Sequence, residues 1–136
     1  MSQSLIIVGA GLAGWTTARE FRKLDTTTPV FLVTADSGDF YAKPSLSNAF
    51  AQGRLPAQLV STPAAKMVET LNVTLLAHTR VEAIDTAART LNVRSAAGLQ
   101  SLAYRDLVLW MEAEYGYDRW DAYMMLSQCG IVRLGN

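Results

Sequence analysis

The stretch Leu5-Ile6-Ile7-Val8-Gly9-Ala10-Gly11-Leu12-Ala13-Gly14 decides the fold that this sequence predicts. Its four leading aliphatic residues are typical of a central strand that is covered on both faces in a parallel sheet. The three glycines fit the spacing G-x-G-x-x-G. The first permits a tight turn, the second lets a pyrophosphate approach the backbone, and the third lets helix and strand pack closely. The stretch therefore predicts a phosphate-binding turn that opens into a helix, with free amides at its start. Ordinary turn glycines are the alternative.

A helix and a second strand complete this unit. Apolar and small residues recur at helical spacing from Ala13 to Leu24, and charged residues occupy the other face. Pro29 precedes a second apolar run, residues 30–34, and a right-handed crossover makes the two strands parallel neighbours. Asp36 lies 22 positions after Gly14. That is close to the spacing of roughly 20 at which an acidic residue takes a ribose hydroxyl pair.

Residues 37–104 carry weaker patterns of helices and short strands. Residues 44–52 are predicted as a short helix stopped by Gly53, and residues 64–71 as a helix that Thr62 caps and Asn72 ends in a left-handed conformation. A third apolar strand follows at residues 73–78. Alternating runs at residues 81–84, 90–94 and 99–104 predict an antiparallel meander. The fold class is therefore α/β: a Rossmann-like, mostly parallel, doubly wound sheet with a small antiparallel meander, in a single domain.

The last part of the chain returns to apolar runs and becomes rich in aromatic residues and methionine. Residues 106–110 are predicted as a buried strand, Asp118 as the cap of a helix reaching about Gln128, and residues 131–134 as a final strand. The aromatic stripe from Trp110 to Met125 is interpreted as core, with a partner surface as the alternative. Unmatched apolar area predicts a homo-oligomer, in which segments could be exchanged.

Composition argues against several partners. Twelve basic residues balance twelve acidic ones, so no field attracts nucleic acid or an anionic membrane. One cysteine, Cys129, cannot form an internal disulfide, and one histidine, His78, cannot form a metal cluster; both are interpreted as structural. Neither a signal peptide nor a membrane span is predicted, and the expected compartment is the cytoplasm.

Residues 5–109 resemble the N-terminal part of bacterial NAD(P)H-dependent rubredoxin reductases, flavoproteins of the glutathione-reductase-like class. The resemblance rests on Gly-Ala-Gly-Leu-Ala-Gly (9–14), Thr-Ala-Asp (34–36), Phe-Tyr-Ala-Lys-Pro-Ser-Leu-Ser-Asn-Ala-Phe (40–50), His-Thr-Arg-Val-Glu-Ala-Ile-Asp (78–85) and Tyr-Arg-Asp-Leu-Val-Leu (104–109). It implies FAD as cofactor. The implied contacts are the pyrophosphate at Gly11, Leu12, Ala13 and Gly14, the adenosine ribose at Asp36, further contacts from Lys43 and Pro44, and the adenine at the backbone of Val81. By composition alone, Lys43 is a solvated loop lysine.

The resemblance stops near Leu109. Family members continue with an Ala-Thr-Gly type turn and a second, NAD-binding domain, whereas residues 110–136 resemble a helix and strand of the acetamidase/formamidase family. We therefore hypothesise a chimera joined near Leu109 and Trp110, in which a truncated FAD-binding portion is completed or covered by a foreign segment. The tail Gly-Ile-Val-Arg-Leu-Gly-Asn (130–136) resembles the family's late flavin-binding strand, with Asn136 where an aspartate stands.

Three functions remain open at this point. The first is a noncatalytic module that binds FAD or its ADP portion. The second is a structural chimera without ligand. The third is an FAD-dependent NAD(P)H–rubredoxin oxidoreductase, with rubredoxin as partner, against which the missing nicotinamide domain argues. Amidase activity is the least expected, because one helix and strand bring no metal site.

Overall fold

The computed structural model describes residues 4–104, 107–122 and 124, which belong to two units, residues 1–104 and residues 105–136. In the first unit the elements are β1 (Leu5–Val8), α1 (Leu12–Leu24), β2 (Val30–Val33), α2 (Ser45–Ala51), a 3₁₀ helix (Pro56–Leu59), α3 (Ala64–Leu71), β3 (Thr74–Leu76), β4 (Arg80–Asp85), β5 (Thr90–Ser95) and β6 (Gly98–Ala103). In the second unit, α4 spans Leu107–Tyr115. The α/β class with one parallel and one antiparallel sheet is confirmed.

The first sheet is the parallel one, with β2 between β1 and β3. Leu5 lies opposite Val30 and Phe31 opposite Thr74. Helices α1 and α3 supply buried residues to the same core as β2: Trp15, Ala18, Val30, Leu32, Met67 and Leu71. The predicted strand, helix, strand unit and the third strand are therefore confirmed.

Strand β1 is less buried than its sequence predicts. Leu5, Ile6 and Ile7 are half-buried, and Val8 is 58% exposed. Within the described residues β1 pairs with β2 on one side, and the other side carries a single parallel bridge between Ser4 and Tyr104. The prediction of burial on both faces is wrong here, because the side chains of β1 are only partly covered and Val8 lies mostly in solvent.

Strands β4, β5 and β6 form the predicted antiparallel meander as a separate sheet. The first turn is held by the Asp85 carboxylate, which accepts from the Ala88 amide at 2.8 Å. Leu91 and Val93 on the middle strand are buried together with Val33 of β2. The meander therefore shares a second, smaller core with the parallel sheet.

Two helix ends agree with the sequence and one does not. Gly53 has a φ of +62° just after α2, and Asn72 is left-handed at the end of α3, both as predicted. Thr62, however, is not the cap of α3. It pairs with Phe40 in an isolated antiparallel bridge, and the Ala64 amide instead donates to Oδ1 of Asp39 at 2.8 Å. A carboxylate distant in sequence can cap a helix as well as a neighbouring hydroxyl can, because only its final position matters.

Arg22 joins the far ends of α1 and α3. Its Nε donates to the Leu71 carbonyl at 2.8 Å and its Nη2 to the Asn72 carbonyl at 2.8 Å. Its Nη1 donates to the carbonyls of Asp25 at 3.2 Å and Thr28 at 2.7 Å. One planar guanidinium thus satisfies four backbone acceptors where α1, α3 and the loop before β2 end.

In the second unit, the strand predicted for residues 106–110 is wrong, because residues 107–110 are helical. Helix α4 occupies residues 107–115, and Gly116 follows it with a φ of +69°. Within this unit the rings of Trp110 and Tyr115 meet edge to face at 5.5 Å, and Glu112 Oε1 lies 3.2 Å from Arg119 Nε. A short apolar run suits a strand or a buried helix equally by pattern, so the contacts available to it decide.

The predicted cap at Asp118 is confirmed, because its Oδ1 accepts from the amides of Trp120 at 2.8 Å and Asp121 at 3.0 Å. The predicted strand at residues 131–134 and the predicted contact from Asn136 lie outside the described residues. The prediction of one domain for residues 1–136 stays a prediction.

Candidate nucleotide-binding site

Two loops meet at the carboxyl ends of β1 and β2. Gly9 follows β1, and its amide donates to the carbonyl of Val33, the last residue of β2, at 2.7 Å. Residues 34–38 follow β2 directly. Because the strands are parallel, the glycine turn and the Asp36 loop lie at the same edge of the sheet, which is where ligands bind in open α/β sheets.

The three glycines of residues 9–14 meet different surroundings. Gly9 has a φ of +100°, a backbone conformation that L side chains rarely adopt. A Cβ at Gly14 would lie 1.8 Å from the Gly9 carbonyl oxygen, so this position requires glycine for packing. A Cβ at Gly11 would have no heavy atom within 4 Å, and its φ is −79°. The fold needs Gly9 and Gly14, whereas Gly11 leaves room that the fold itself does not fill.

Helix α1 starts beside that space. Its first backbone hydrogen bond runs from the Trp15 amide to the Gly11 carbonyl at 3.0 Å, so the amides of Leu12, Ala13 and Gly14 precede the helical ladder. Leu12 and Ala13 are exposed, no side chain caps the helix, and its first turn has no acidic residue. A phosphate can therefore accept from these amides without meeting a negative side chain.

Asp36 lies on the second loop with an exposed side chain. Its Oδ1 accepts from the Thr34 hydroxyl at 2.7 Å and from the Gly38 amide at 2.9 Å. The Thr34 hydroxyl does most to hold the pKa of Asp36 below its ordinary value. Burial, the next largest effect, opposes it, and the amides of Gly38 and Asp36 and the charge of His78 lower the pKa by smaller amounts. The carboxylate is therefore ionised at neutral pH and held in one place.

Trp15 connects the two loops. Its side chain is fully buried, and its Nε1 donates to the Gly38 carbonyl at 2.9 Å. Gly38 has a φ of +79°, and a Cβ there would lie 2.8 Å from a methyl carbon of Leu75. Neither Trp15 nor Gly38 was predicted to belong to the site, and Thr34 was predicted only as the end of the second strand and as part of the Thr-Ala-Asp motif. A Ser-Gly-Asp turn directly after Asp36 was the available signal for Gly38, whereas the pairing of an indole with a carbonyl 23 residues away has no local pattern.

A third loop, between β3 and β4, lies against the Asp36 loop. The amide of His78 donates to the Asp36 carbonyl at 2.9 Å, and the amide of Thr79 donates to the Thr34 carbonyl at 2.8 Å. His78 itself is left-handed, with a φ of 50°. Its observed contact with the site is through its backbone, which fits the structural interpretation made from the sequence.

The remaining predicted contacts are spread over the first unit. Lys43 is exposed, and its carbonyl accepts from the Leu46 amide at 3.0 Å; Pro44 immediately precedes α2. Val81 is half-buried on β4 opposite Val93 and packs against the smaller core. Their contacts to a ligand stay predictions.

Other binding chemistries find little support among the described residues. These residues hold no group of three or more His, Cys, Asp or Glu side chains placed to bind a metal ion. In the same part of the chain, no helix combines the length and hydropathy needed to cross a bilayer. The open space beside the backbone of Gly11, here called the Gly11 cradle, fits the diphosphate of a nucleoside diphosphate, and the oriented carboxylate of Asp36 fits its ribose.

Residues 3–110 match the family model of the pyridine nucleotide-disulphide oxidoreductases. The chain belongs to this family. The match covers the parallel sheet, the meander and both loops of the candidate site, and it ends where the aromatic-rich part of the chain begins.

Among curated relatives in the family, the rubredoxin-NAD(+) reductase of Alcanivorax borkumensis is 40% identical over 110 residues, which cover 81% of this chain and 28% of that protein. The nitric oxide reductase FlRd-NAD(+) reductase of Aliivibrio fischeri is 34% identical over 109 residues, covering 80% of this chain and 28% of that protein. The chain thus spans less than a third of the length of these relatives.

The fold is also found among solved structures. The crystal structure of reduced Bacillus anthracis CoADR-RHD aligns with a TM-score of 0.70 and 17% sequence identity, covering 76% of this chain and 19% of that one. At this identity the likeness supports the fold alone.

Proposed function

We propose that residues 4–104 bind the ADP portion of FAD. One observation carries the proposal: the Gly11 cradle, which the fold leaves open, and the Asp36 carboxylate, which the fold orients, lie at the same edge of the sheet. In this arrangement the amides of Leu12, Ala13 and Gly14 receive the pyrophosphate. Asp36 accepts hydrogen bonds from the adenosine ribose.

Each group has a distinct part in binding. The amides at the start of α1 supply donors and the positive end of the helix dipole, worth about 0.3–1 kcal/mol in surface settings. Hydrogen bonds that involve a charged group contribute more, about 1.5–3 kcal/mol each. Micromolar affinity requires about 8 kcal/mol, so neither loop suffices alone and both must act together. Lys43, Pro44 and the backbone of Val81 are proposed as further contacts, as is Asn136.

When bound, FAD supplies hydride and electron-transfer chemistry. The described residues contribute binding and orientation to it: they fix the phosphates and the ribose. We therefore propose a binding module without turnover of its own as the function of this portion.

Isothermal titration calorimetry with ADP and with FAD tests the proposal, using Gly11→Ala as the variant. Because a Cβ at position 11 meets no protein atom and φ is −79°, the variant should fold normally. We expect its affinity to fall about tenfold to a hundredfold, since the methyl group displaces the pyrophosphate from the amides.

Two further variants complete the design. Asp36→Asn should weaken binding by a similar factor, and Asp85→Asn, which alters a carboxylate in the meander turn, should leave it unchanged. Unaltered ADP affinity in Gly11→Ala would place the ligand elsewhere. If the wild-type protein binds neither ADP nor FAD, the alternative of a purely structural fold without ligand is favoured.

A second candidate is electron transfer from NAD(P)H through FAD to a small redox protein, with rubredoxin as acceptor. The names of the two relatives described above support it. One of these relatives is named for rubredoxin and the other for FlRd, and the chain matches 28% of the length of each, so the match does not choose between these electron acceptors. NADH oxidation that depends on added FAD and on an acceptor protein would establish this activity.

Three expectations about the whole chain remain proposals. Large exposed apolar side chains on and after α2, with Phe50 94% and Leu55 67% exposed, support self-association, which light scattering at tens of micromolar tests. A cytoplasmic location is supported by the single cysteine. A join near residue 110 is supported by the end of the family match there. Sequencing the source gene across that point tests it.

A further inference from the structure

We propose that Trp15 is a positioning residue for ribose recognition: its indole N–H holds the carbonyl of Gly38, and the amide of the same glycine holds the Asp36 carboxylate. This inference rests on the proposed function and adds a specificity-determining residue to it. Trp15 belongs to α1 and touches no part of the proposed ligand; it acts through Gly38.

The peptide units around Gly38 are fixed from several sides. The Gly38 carbonyl accepts from Trp15 Nε1 at 2.9 Å, and the Gly38 amide donates to Asp36 Oδ1 at 2.9 Å. The left-handed φ of +79° and the close approach of Leu75 leave Gly38 little freedom to adopt another conformation. A displacement of the Gly38 carbonyl therefore moves the amide that orients Asp36.

Burial makes the contact from Trp15 effective. The indole is fully buried, so its N–H has no water to bond when the Gly38 carbonyl moves away. An unpaired buried donor is unfavourable, which ties the loop to the helix. The backbone amide of the same residue donates to Gly11. Trp15 is thus attached to the phosphate loop by its main chain and to the ribose loop by its side chain.

The geometry leaves one carboxylate oxygen for a ligand. Within the described part of the chain, the hydrogen bonds from Thr34 and Gly38 both go to Oδ1 of Asp36. Oδ2 accepts neither of these two hydrogen bonds and is therefore available to a ribose hydroxyl, in a direction that the two donors to Oδ1 help to determine. Without the Trp15 contact, the Gly38 carbonyl is held less firmly, and the preference of Asp36 for a ligand that carries the hydroxyl is weaker.

The test compares ADP with 2′-deoxy-ADP by calorimetry in wild type and in Trp15→Phe, which retains an aromatic ring and removes the donor. Wild type should prefer ADP by about tenfold, the worth of one hydrogen bond to a charged group. In Trp15→Phe we expect this preference to fall at least about threefold, with little change in the affinity for 2′-deoxy-ADP. The matched control, Trp120→Phe, alters an indole that is 76% exposed and should leave the preference unchanged.

The outcomes separate the two proposals. If Trp15→Phe weakens ADP and 2′-deoxy-ADP equally, Trp15 acts only on stability and this inference is overturned while the proposed function stands. If wild type binds neither ligand, both are overturned. If wild type binds both ligands equally well, Asp36 does not recognise the hydroxyl and the inference is again overturned.

A second measurement on the wild-type protein applies if Trp15→Phe does not fold. The indole N–H of Trp15, assigned by NMR with the Trp110→Phe and Trp120→Phe variants, should exchange more slowly with solvent when ADP is bound than when 2′-deoxy-ADP is bound. Equal exchange rates in the two complexes would contradict a connection between Trp15 and the ribose.

Discussion

Two apolar runs of similar composition adopt different structures in this protein. Val30–Val33 is a strand, whereas residues 107–111, equally apolar, begin helix α4. Strand β2 has hydrogen-bonded neighbours on both sides, and Val30, Leu32 and Val33 are 2% exposed or less. Residues 107–111 instead belong to a helix that continues to Tyr115, in which backbone groups pair within the same segment. The apolar pattern is thus compatible with either structure, and the run that forms a strand is the one that pairs with a strand on each side.

Gly14→Ala should have the largest effect on stability, because it disturbs the packing of α1 on β1, the strand that pairs with Val30–Val33. The new Cβ would lie 1.8 Å from the Gly9 carbonyl oxygen, which forces α1 away from β1. Alanine in a helix gains about 1 kcal/mol over glycine. The clash outweighs this gain, and we expect a net loss of about 3–5 kcal/mol in the free energy of unfolding, measured by urea denaturation.

Gly11→Ala is the matched control for that substitution, since it adds the same methyl group in open space. Its stability should stay within about 0.5 kcal/mol of wild type. Equal stability of the two alanine variants would mean that the packing of α1 on β1 does not hold the parallel sheet together.

Ala113→Pro tests the second apolar run, which begins helix α4. Position 113 is exposed and lies inside α4, where proline loses a hydrogen bond to the Leu109 carbonyl and clashes with it. We expect a cost of about 3 kcal/mol to this helix and a smaller helical signal in far-UV circular dichroism. An unchanged spectrum would support the strand that the sequence predicts for residues 106–110. Ala96→Pro, in an exposed turn of the meander, controls for general effects of proline.

Lowering the pH should give the smallest change in stability, and this change comes from Asp36 in the loop that follows β2. The pKa of Asp36 is lowered in the folded protein, so its contribution to stability is fully present above the unfolded value of 3.8 and is lost as pH falls through the folded value. Lowering the pH from about 6 to about 3 should therefore reduce the free energy of unfolding more in wild type than in Asp36→Asn, as measured by urea denaturation. If the free energy of unfolding falls with pH by the same amount in the two proteins, the Thr34 and Gly38 contacts do not favour the ionised carboxylate.

The sequence predicts the first unit well because its signals are local and agree with one another. Pro29 marks the start of β2, Asn72 takes the left-handed end of α3, and Asp36 follows β2 at the expected spacing. The alternation in residues 81–104 predicts all three meander strands. At these positions the backbone conformation depends on the residue itself and its near neighbours.

The missed features depend on residues far apart in the chain. The cap of α3 comes from Asp39, 25 residues before Ala64, and the loop of Asp36 is held by Trp15. The exposure of Val8 depends on what covers β1, and the apolar run at residues 107–111 suits a strand as well as the helix that it forms. None of these has a periodic pattern that a local reading could detect.

The guanidinium of Arg22 has a consequence for the order of folding. Its contacts with Leu71 and Asn72 close loops of 49 and 50 residues, and such closures cost entropy before they return any stability. Its contacts with Asp25 and Thr28 span only 3 and 6 residues. Arg22 can therefore form its hydrogen bonds to Asp25 and Thr28 early in folding. These bonds orient its guanidinium before the end of α3 packs against it.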